Sequence, residues 1–221
     1  MKKSFKKADI VIAVSDNTKE EIIKEFKIDN IVRIYNGIDT EFFKPSNLIN
    51  NNKEKRIKLL FAGSLIKRKG ADLLPKIMEK LGDNFVLYHT GTKRFENPNI
   101  IPLGKLDKHS LVKWYNSCDI FLFPTRLEGF GLCVAEAMAC GKPIVTTNCS
   151  SLPELVVDNK GGFLCEKDNI NDFAEKILYL SKDEDLRIKM GKFNRERTVK
   201  NFSIEKMAKE HYNLYSKLIG N

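Results

Sequence analysis

The chain has 221 residues with 42% hydrophobic content, which is enough for one α/β domain with additional segments and too apolar for a disordered polymer. No apolar run approaches the roughly 18 residues of a membrane span, and behind the basic start, Met1 to Lys7, the stretch Ile10–Val14 is too short for a signal-peptide core, so a cytoplasmic protein is expected. The formal charge of +9 favours anionic partners, yet the cations are interleaved with Asp and Glu, and no nucleic-acid signature focuses them; this argues against nucleic acid and leaves a peripheral contact with the inner face of the membrane as an expectation.

In chain order, short β-branched and aliphatic runs alternate with stretches of helical spacing. Ile10–Val14 and Ile31–Tyr35 read as strands around a helix, for which Thr18 and Glu21 form a capping box ahead of Ile22, Ile23 and Phe26. Asn36-Gly37 marks a turn, and residues 44–56, with Pro45 and several asparagines, read as an exposed linker. Ile57–Ala62, Phe85–His89, Ile100–Leu103, Ile120–Phe123 and Ile144–Thr146 follow as strands with helices between them, one over Ala71–Leu81. This alternation predicts an α/β fold, a doubly wound Rossmann-like parallel sheet with helices on both faces. Asp183–Ile219 reads as helical, broken near Asn201-Phe202-Ser203, where Ser203 caps the last helix. Residues 57–201 then form one complete domain, followed by a terminal helix over 202–221. Residues 1–43 are too few to bury a core alone, and are expected to be the end of an amino-terminal domain that is otherwise missing from the chain.

The five cysteines contain no C-x-x-C pair, and His89, His109 and His211 do not cluster with them, so reduced thiols and no metal site are expected. The chemistry concentrates instead between Phe123 and Pro143. A strand ends at Phe123, and Gly129 and Gly131 open a helix that stops at Gly141-Lys142-Pro143. Ligands of open α/β sheets bind beyond the carboxyl ends of the strands, where this loop must lie. The N–H groups of Gly129, Phe130, Gly131 and Leu132, with the helix dipole behind them, favour a phosphate or diphosphate. Glu128 precedes the helix and Glu136 lies about one and a half turns inside it, so the two address different parts of one ligand. Carboxylates accept well from vicinal hydroxyls, which suits a ligand with sugars on both sides of a diphosphate. On residue types alone, a solvated Glu128 and a Glu136 paired with lysine fit equally well. A second phosphate site is the glycine turn Ala62-Gly63-Ser64, whose three following cations, Lys67-Arg68-Lys69, are as often just a solvated face.

Glu128-Gly129-Phe130-Gly131-Leu132 with Glu136 resembles the E-x7-E motif of the large retaining family of GT-B glycosyltransferases, and Glu136 to Val145 resembles its "EAMACGxPVV". Asn36-Gly37-Ile38-Asp39 with Phe42 and Pro45 is similar to the family's interdomain segment. Ala8–Ser15 resembles the last strand of its amino-terminal domain, and Phe202-Ser203 with the final helix the segment that crosses back to it. The resemblance covers nearly the whole chain. It implies a GT-B type fold and transfer of a sugar from a nucleoside diphosphate sugar to a glycan or lipid-linked acceptor, with retention and without metal or other cofactor. By match, Glu128 binds the donor sugar hydroxyls, Glu136 holds the ribose, and Lys69 with Arg68 grips the diphosphate. Ser64 stands where the family usually has arginine, and Arg68 is the natural replacement. Gly63, Ser64, Gly129, Phe130, Gly131 and Leu132 complete the donor site, and the loop Leu103-Gly104-Lys105-Leu106 contacts the base through its backbone. Ser151-Leu152-Pro153-Glu154 resembles the family's "GxPE" turn, with Ser151 in place of glycine, and reads as structural. Because the acceptor-binding amino-terminal domain is represented only by residues 1–43, the alternative is a truncated or split nucleotide-sugar-binding module without turnover of its own.

Overall fold

The computed structural model describes residues 7–46 and 55–220. Among these, β1 (Val11–Ala13), α1 (Asp16–Phe26) and β2 (Ile31–Arg33) precede the part of the expected linker, 47–54, that lies outside the described residues. Then come β3 (Ile57–Phe61), α2 (Leu74–Leu81), β4 (Phe85–His89), β5 (Ile100–Pro102), α3 (Lys108–Ser117), β6 (Ile120–Phe123), α4 (Leu132–Ala139) and β7 (Ile144–Thr147). The chain continues through α5 (Leu152–Leu155), β8 (Gly162–Cys165), α6 (Ile170–Ser181), α7 (Glu184–Asn201) and α8 (Ile204–Leu218).

The strands fall into two parallel sheets. β1 and β2 make a pair, in register Val11 with Ile31, and the other six run in the order β5-β4-β3-β6-β7-β8. Every pairing in the larger sheet is parallel, as the alternation of strand and helix predicts. All four residues of β6 and all four of β7 are buried, which is why their sequences read as continuous apolar runs. The chain moves outward from β3 through β4 to β5, then returns to lay β6 on the other side of β3. The switch point therefore lies between β3 and β6, with the loops after both strands side by side at the carboxyl end of the sheet.

Several local expectations are corrected. α1 is capped by Ser15, whose side chain accepts from the Thr18 N–H, so the helix begins ahead of Thr18 and no capping box forms there. α2 starts at Leu74 rather than Ala71, because a 3-10 turn over Lys67–Lys69, closed by Gly70 at φ 74°, takes up the preceding chain. Asn36-Gly37 is not assigned as a turn: Ile38 just beyond it bridges to Ser203, and a Cβ on Gly37 would meet the Cα of Ile204 at 2.5 Å. The glycine is there for close approach to α8. β8 was not among the expected strands; it pairs with β7 from Ile144–Gly162 to Thr147–Cys165. The break before α8 and its cap are as expected, with Ser203 accepting from the Lys206 N–H. Among the described residues no helix is long and apolar enough to cross a membrane.

The two sheets differ in what they bury. The large one lies inside a continuous core that also takes in Ile38, Phe43 and Phe202, whereas among the described residues β1, β2 and the end of α1 share a small cluster of Val11, Ala13, Ile28 and Ile31.

Candidate functional site

The two loops at the switch point are locked to each other by backbone. A Cβ on Gly70 would collide with the carbonyl oxygen of Pro124, so only glycine lets the 3-10 turn lie against the loop after β6. Arg126 N–H and the Thr125 hydroxyl donate to Arg68 O at 2.8 and 3.1 Å, and Arg68 Nη1 returns a bond to Leu127 O at 2.8 Å. The Arg126 guanidinium reaches both oxygens of Asp72 at 2.7 and 2.9 Å and Asp168 at 2.7 Å, and also donates to Lys67 O. The bidentate bond from Arg126 holds the Asp72 carboxyl below its ordinary range.

Inside this frame Lys69 pairs with Glu128, which is 7% exposed and also accepts from the Thr125 hydroxyl at 3.3 Å. The Lys69 ammonium stands 5.3 Å over the Phe123 ring. Gly131, at φ 98°, starts α4, and no side chain caps that helix end. Its first turn therefore faces the cleft with its dipole unanswered by a local side chain. Glu136, within α4, accepts from the Tyr115 hydroxyl at 2.8 Å rather than pairing with a lysine. Burial pushes the Glu136 carboxyl above its ordinary range against the pull of that hydrogen bond, and burial also raises the Tyr115 hydroxyl well above its own. Cys133 lines the same cleft, and burial, with the charges of Glu128 and Glu136, pushes its thiol above its ordinary range.

Two hollows meet at the switch point. One of about 420 Å³ is lined by Gly63, Ser64, Lys69, Glu128 and the run Gly129, Phe130, Gly131, Leu132. The other, about 660 Å³, shares Gly63 and Ser64 and extends along Thr90–Lys93 to Gly104, Lys105 and Leu106. Most residues singled out from the sequence are thus brought together. Arg68 lines neither hollow, being turned onto Leu127 O at the rim, and Glu136 lies one layer behind, against Tyr115. Val14 and Asn36, from the β1–α1–β2 unit, line the smaller hollow and were not foreseen, although Asn36 stands inside a motif already noted. Ser151 was read as structural; its buried hydroxyl donates to Glu128 O at 3.2 Å and Phe130 O at 3.0 Å, so it carries the backbone of the loop after β6.

A doubly wound parallel sheet with a cleft at its switch point is shared by many α/β proteins, and likeness to solved structures narrows it to the GT-B fold. The chain superposes on sucrose-phosphate synthase of Thermosynechococcus elongatus with a TM-score of 0.89 and 23% identity, over 99% of this chain and 60% of that one. It superposes on Anabaena HepE, solved in complex with UDP and glucose, with a TM-score of 0.85 and 19% identity, over 95% and 64%. Residues 43–197 match the model of the family Glycosyl transferases group 1, and residues 1–42 that of Glycosyltransferase Family 4. The chain belongs to the glycosyl transferases group 1 family.

Its sequence is 33% identical over 220 residues to an uncharacterised glycosyltransferase of Methanocaldococcus jannaschii, covering 96% of this chain and 60% of that protein. It is also 33% identical over 237 residues to the capsular polysaccharide biosynthesis glycosyltransferase CapM of Staphylococcus aureus, covering 93% and 61%. A third relative, an N-acetylgalactosaminyltransferase of Campylobacter jejuni named for a diphospho-undecaprenol substrate, is 31% identical over 245 residues, covering 100% and 63%. The chain thus spans 60 to 63% of the length of these relatives.

Proposed function

We propose that this chain holds the donor of a retaining glycosyltransferase, a nucleoside diphosphate sugar laid across the two joined hollows. The observation that carries the reading is the junction at Gly63–Ser64, where the Lys69–Glu128 pair meets the uncapped start of α4. In this reading the diphosphate lies over the junction, the base reaches Gly104, Lys105 and Leu106, the ribose lies toward Glu136, and the sugar lies beside Glu128. Lys69 exchanges its carboxylate partner for the diphosphate. That frees the Glu128 oxygens to accept from sugar hydroxyls and puts a cation where leaving-group charge develops. Arg68, already anchored at the rim through one N–H, adds a second positive charge nearby. Together with the α4 dipole these charges do the work that a divalent ion does elsewhere, so transfer proceeds without metal or another cofactor. No carboxylate pair flanks a scissile bond here as in a glycosidase: Glu128 positions the sugar.

The whole protein transfers the sugar to a glycan or lipid-linked acceptor in polysaccharide biosynthesis, at the inner face of the membrane. The names of the capsular and diphospho-undecaprenol relatives and the charge of +9 support this class of acceptor and site. The test is calorimetric titration with UDP, GDP and ADP, then with sugar conjugates of whichever binds, followed by a turnover assay with the sugar acceptor class above. Lys69→Ala is expected to weaken nucleotide affinity by about 10- to 100-fold, the scale of a charge-assisted contact. Unchanged affinity would remove the assignment.

A further inference from the structure

The short helix α5 touches both the loop after β6 and the first turn of α1. Just before it, Ser151 carries the backbone of Glu128 and Phe130. Within it, Glu154 Oε2 and Oε1 accept the backbone N–H groups of Asp16 and Asn17, both at 2.8 Å and 138 and 137 residues distant. Oε2 also accepts from the Tyr35 hydroxyl at 2.9 Å. Those N–H groups are the first of α1, so a carboxylate supplied by the large unit sits at the positive end of that helix, beside its own cap Ser15. The turn is held from behind by Arg197, which donates to Glu154 O and Leu155 O at 2.7 and 2.8 Å. In front, the Thr18 hydroxyl reaches Gly129 O at 3.3 Å, and the Phe130 ring lies 5.9 Å from that of Tyr35.

We propose that Glu154 is a positioning residue for the donor loop. It clamps the first turn of α1 to the same turn whose Ser151 holds Glu128 and Phe130, so the loop and the β1–α1–β2 unit are set together. The inference rests on the donor reading above. Coupling of this kind is reciprocal: a ligand that orders the loop tightens the cap on α1, and loosening the cap weakens the ligand. Glu154→Gln keeps the size but turns one acceptor oxygen into an NH₂ group facing an N–H, and it removes the charge at the helix end.

The experiment measures hydrogen exchange at the Asp16 and Asn17 amides in the full chain, free and saturated with whichever of UDP, GDP and ADP binds the wild type most tightly. The Kd is measured in parallel for wild type, Glu154→Gln and Ser151→Ala. Nucleotide is expected to slow exchange at both amides in the wild type. Glu154→Gln abolishes the slowing and raises Kd about three- to tenfold, the scale of one lost hydrogen bond. Ser151→Ala, which leaves the α1 cap intact, keeps ligand-free exchange at the two amides but loses the slowing and raises Kd; it carries the test if the other variant does not fold. A purely structural Glu154 would speed ligand-free exchange without moving Kd, and that result overturns the proposal, as does unaltered slowing in Ser151→Ala. If none of the three nucleotides binds the wild type, the donor reading fails and this one with it. Binding that is indifferent to both variants overturns only this one.

Discussion

The six-stranded sheet and the β1–α1–β2 unit are built from the same grammar, parallel strands joined by a helix, but they keep their shape for different reasons. β6 and β7 are buried on all residues between helices that share one core. The smaller unit buries Val11, Ala13, Ile28 and Ile31, and α1 has no fully buried residue. A helix of 11 residues with so little buried is marginal by itself. Its position depends on contacts from the other unit: Glu154 at its amino end, Gly129 O on Thr18, and the chain through Gly37 pressed onto α8. The difference teaches where each unit's order comes from. One draws on a continuous apolar core, the other on a small apolar cluster and on contacts with the loop after β6, α5 and α8.

Core truncation separates the two most strongly. Phe121→Ala, in the centre of the large sheet and fully buried, is expected to cost about 3–5 kcal/mol and to lower the global denaturation midpoint. Ile31→Ala removes one of the few buried side chains of the small unit and is expected to act locally. Amide exchange should accelerate across β1, α1 and β2 while β3, β6 and β7 stay protected. If the global midpoint fell as far as in Phe121→Ala, the two units would be one cooperative body and the comparison would break.

A smaller effect is expected from Glu136, which is closed into the large unit. Its folded carboxyl is raised above its unfolded value, so its contribution to stability is full below about pH 4.3 and is lost as pH rises through the folded value. Denaturant titrations of wild type and Glu136→Gln from pH 3 to 8 should show the variant gaining relative stability toward neutral pH. Parallel curves would show that Tyr115 already offsets the burial. Smallest is the rim: Asp72, exposed and held by Arg126, contributes above its unfolded value of about 3.9 and loses that contribution as pH falls. Asp72→Asn is expected to cost less than about 1 kcal/mol at neutral pH in the same denaturant assay.

Much of the large unit was legible because its signals are local. The runs at β3, β4, β6 and β7 are largely apolar, Ser203 precedes its helix in the usual way, and the Glu128–Leu132 string places a glycine helix start in the loop that follows a strand. β8 was missed because Gly161-Gly162 opens it in place of β-branched residues. The cap of α1 was placed at Thr18 because Glu21 follows three residues on; the extended backbone of Ser15 and its bond from the Thr18 N–H put the helix start earlier.

The sequence by itself determined the alternation of strand and helix, the parallel sheet that follows from it, and the glycine and carboxylate string at the carboxyl end of β6. These depend on periodicity and on caps a few residues long. Only the tertiary structure decided that Glu136 meets Tyr115, that Gly37 serves close approach instead of a turn, that Val14 and Asn36 enter the cleft, and that Glu154 caps a helix 138 residues away. Hydrogen bonds and van der Waals contacts act over a few ångströms in space, and which residues come that close is set by how strands order in the sheet, not by spacing along the chain.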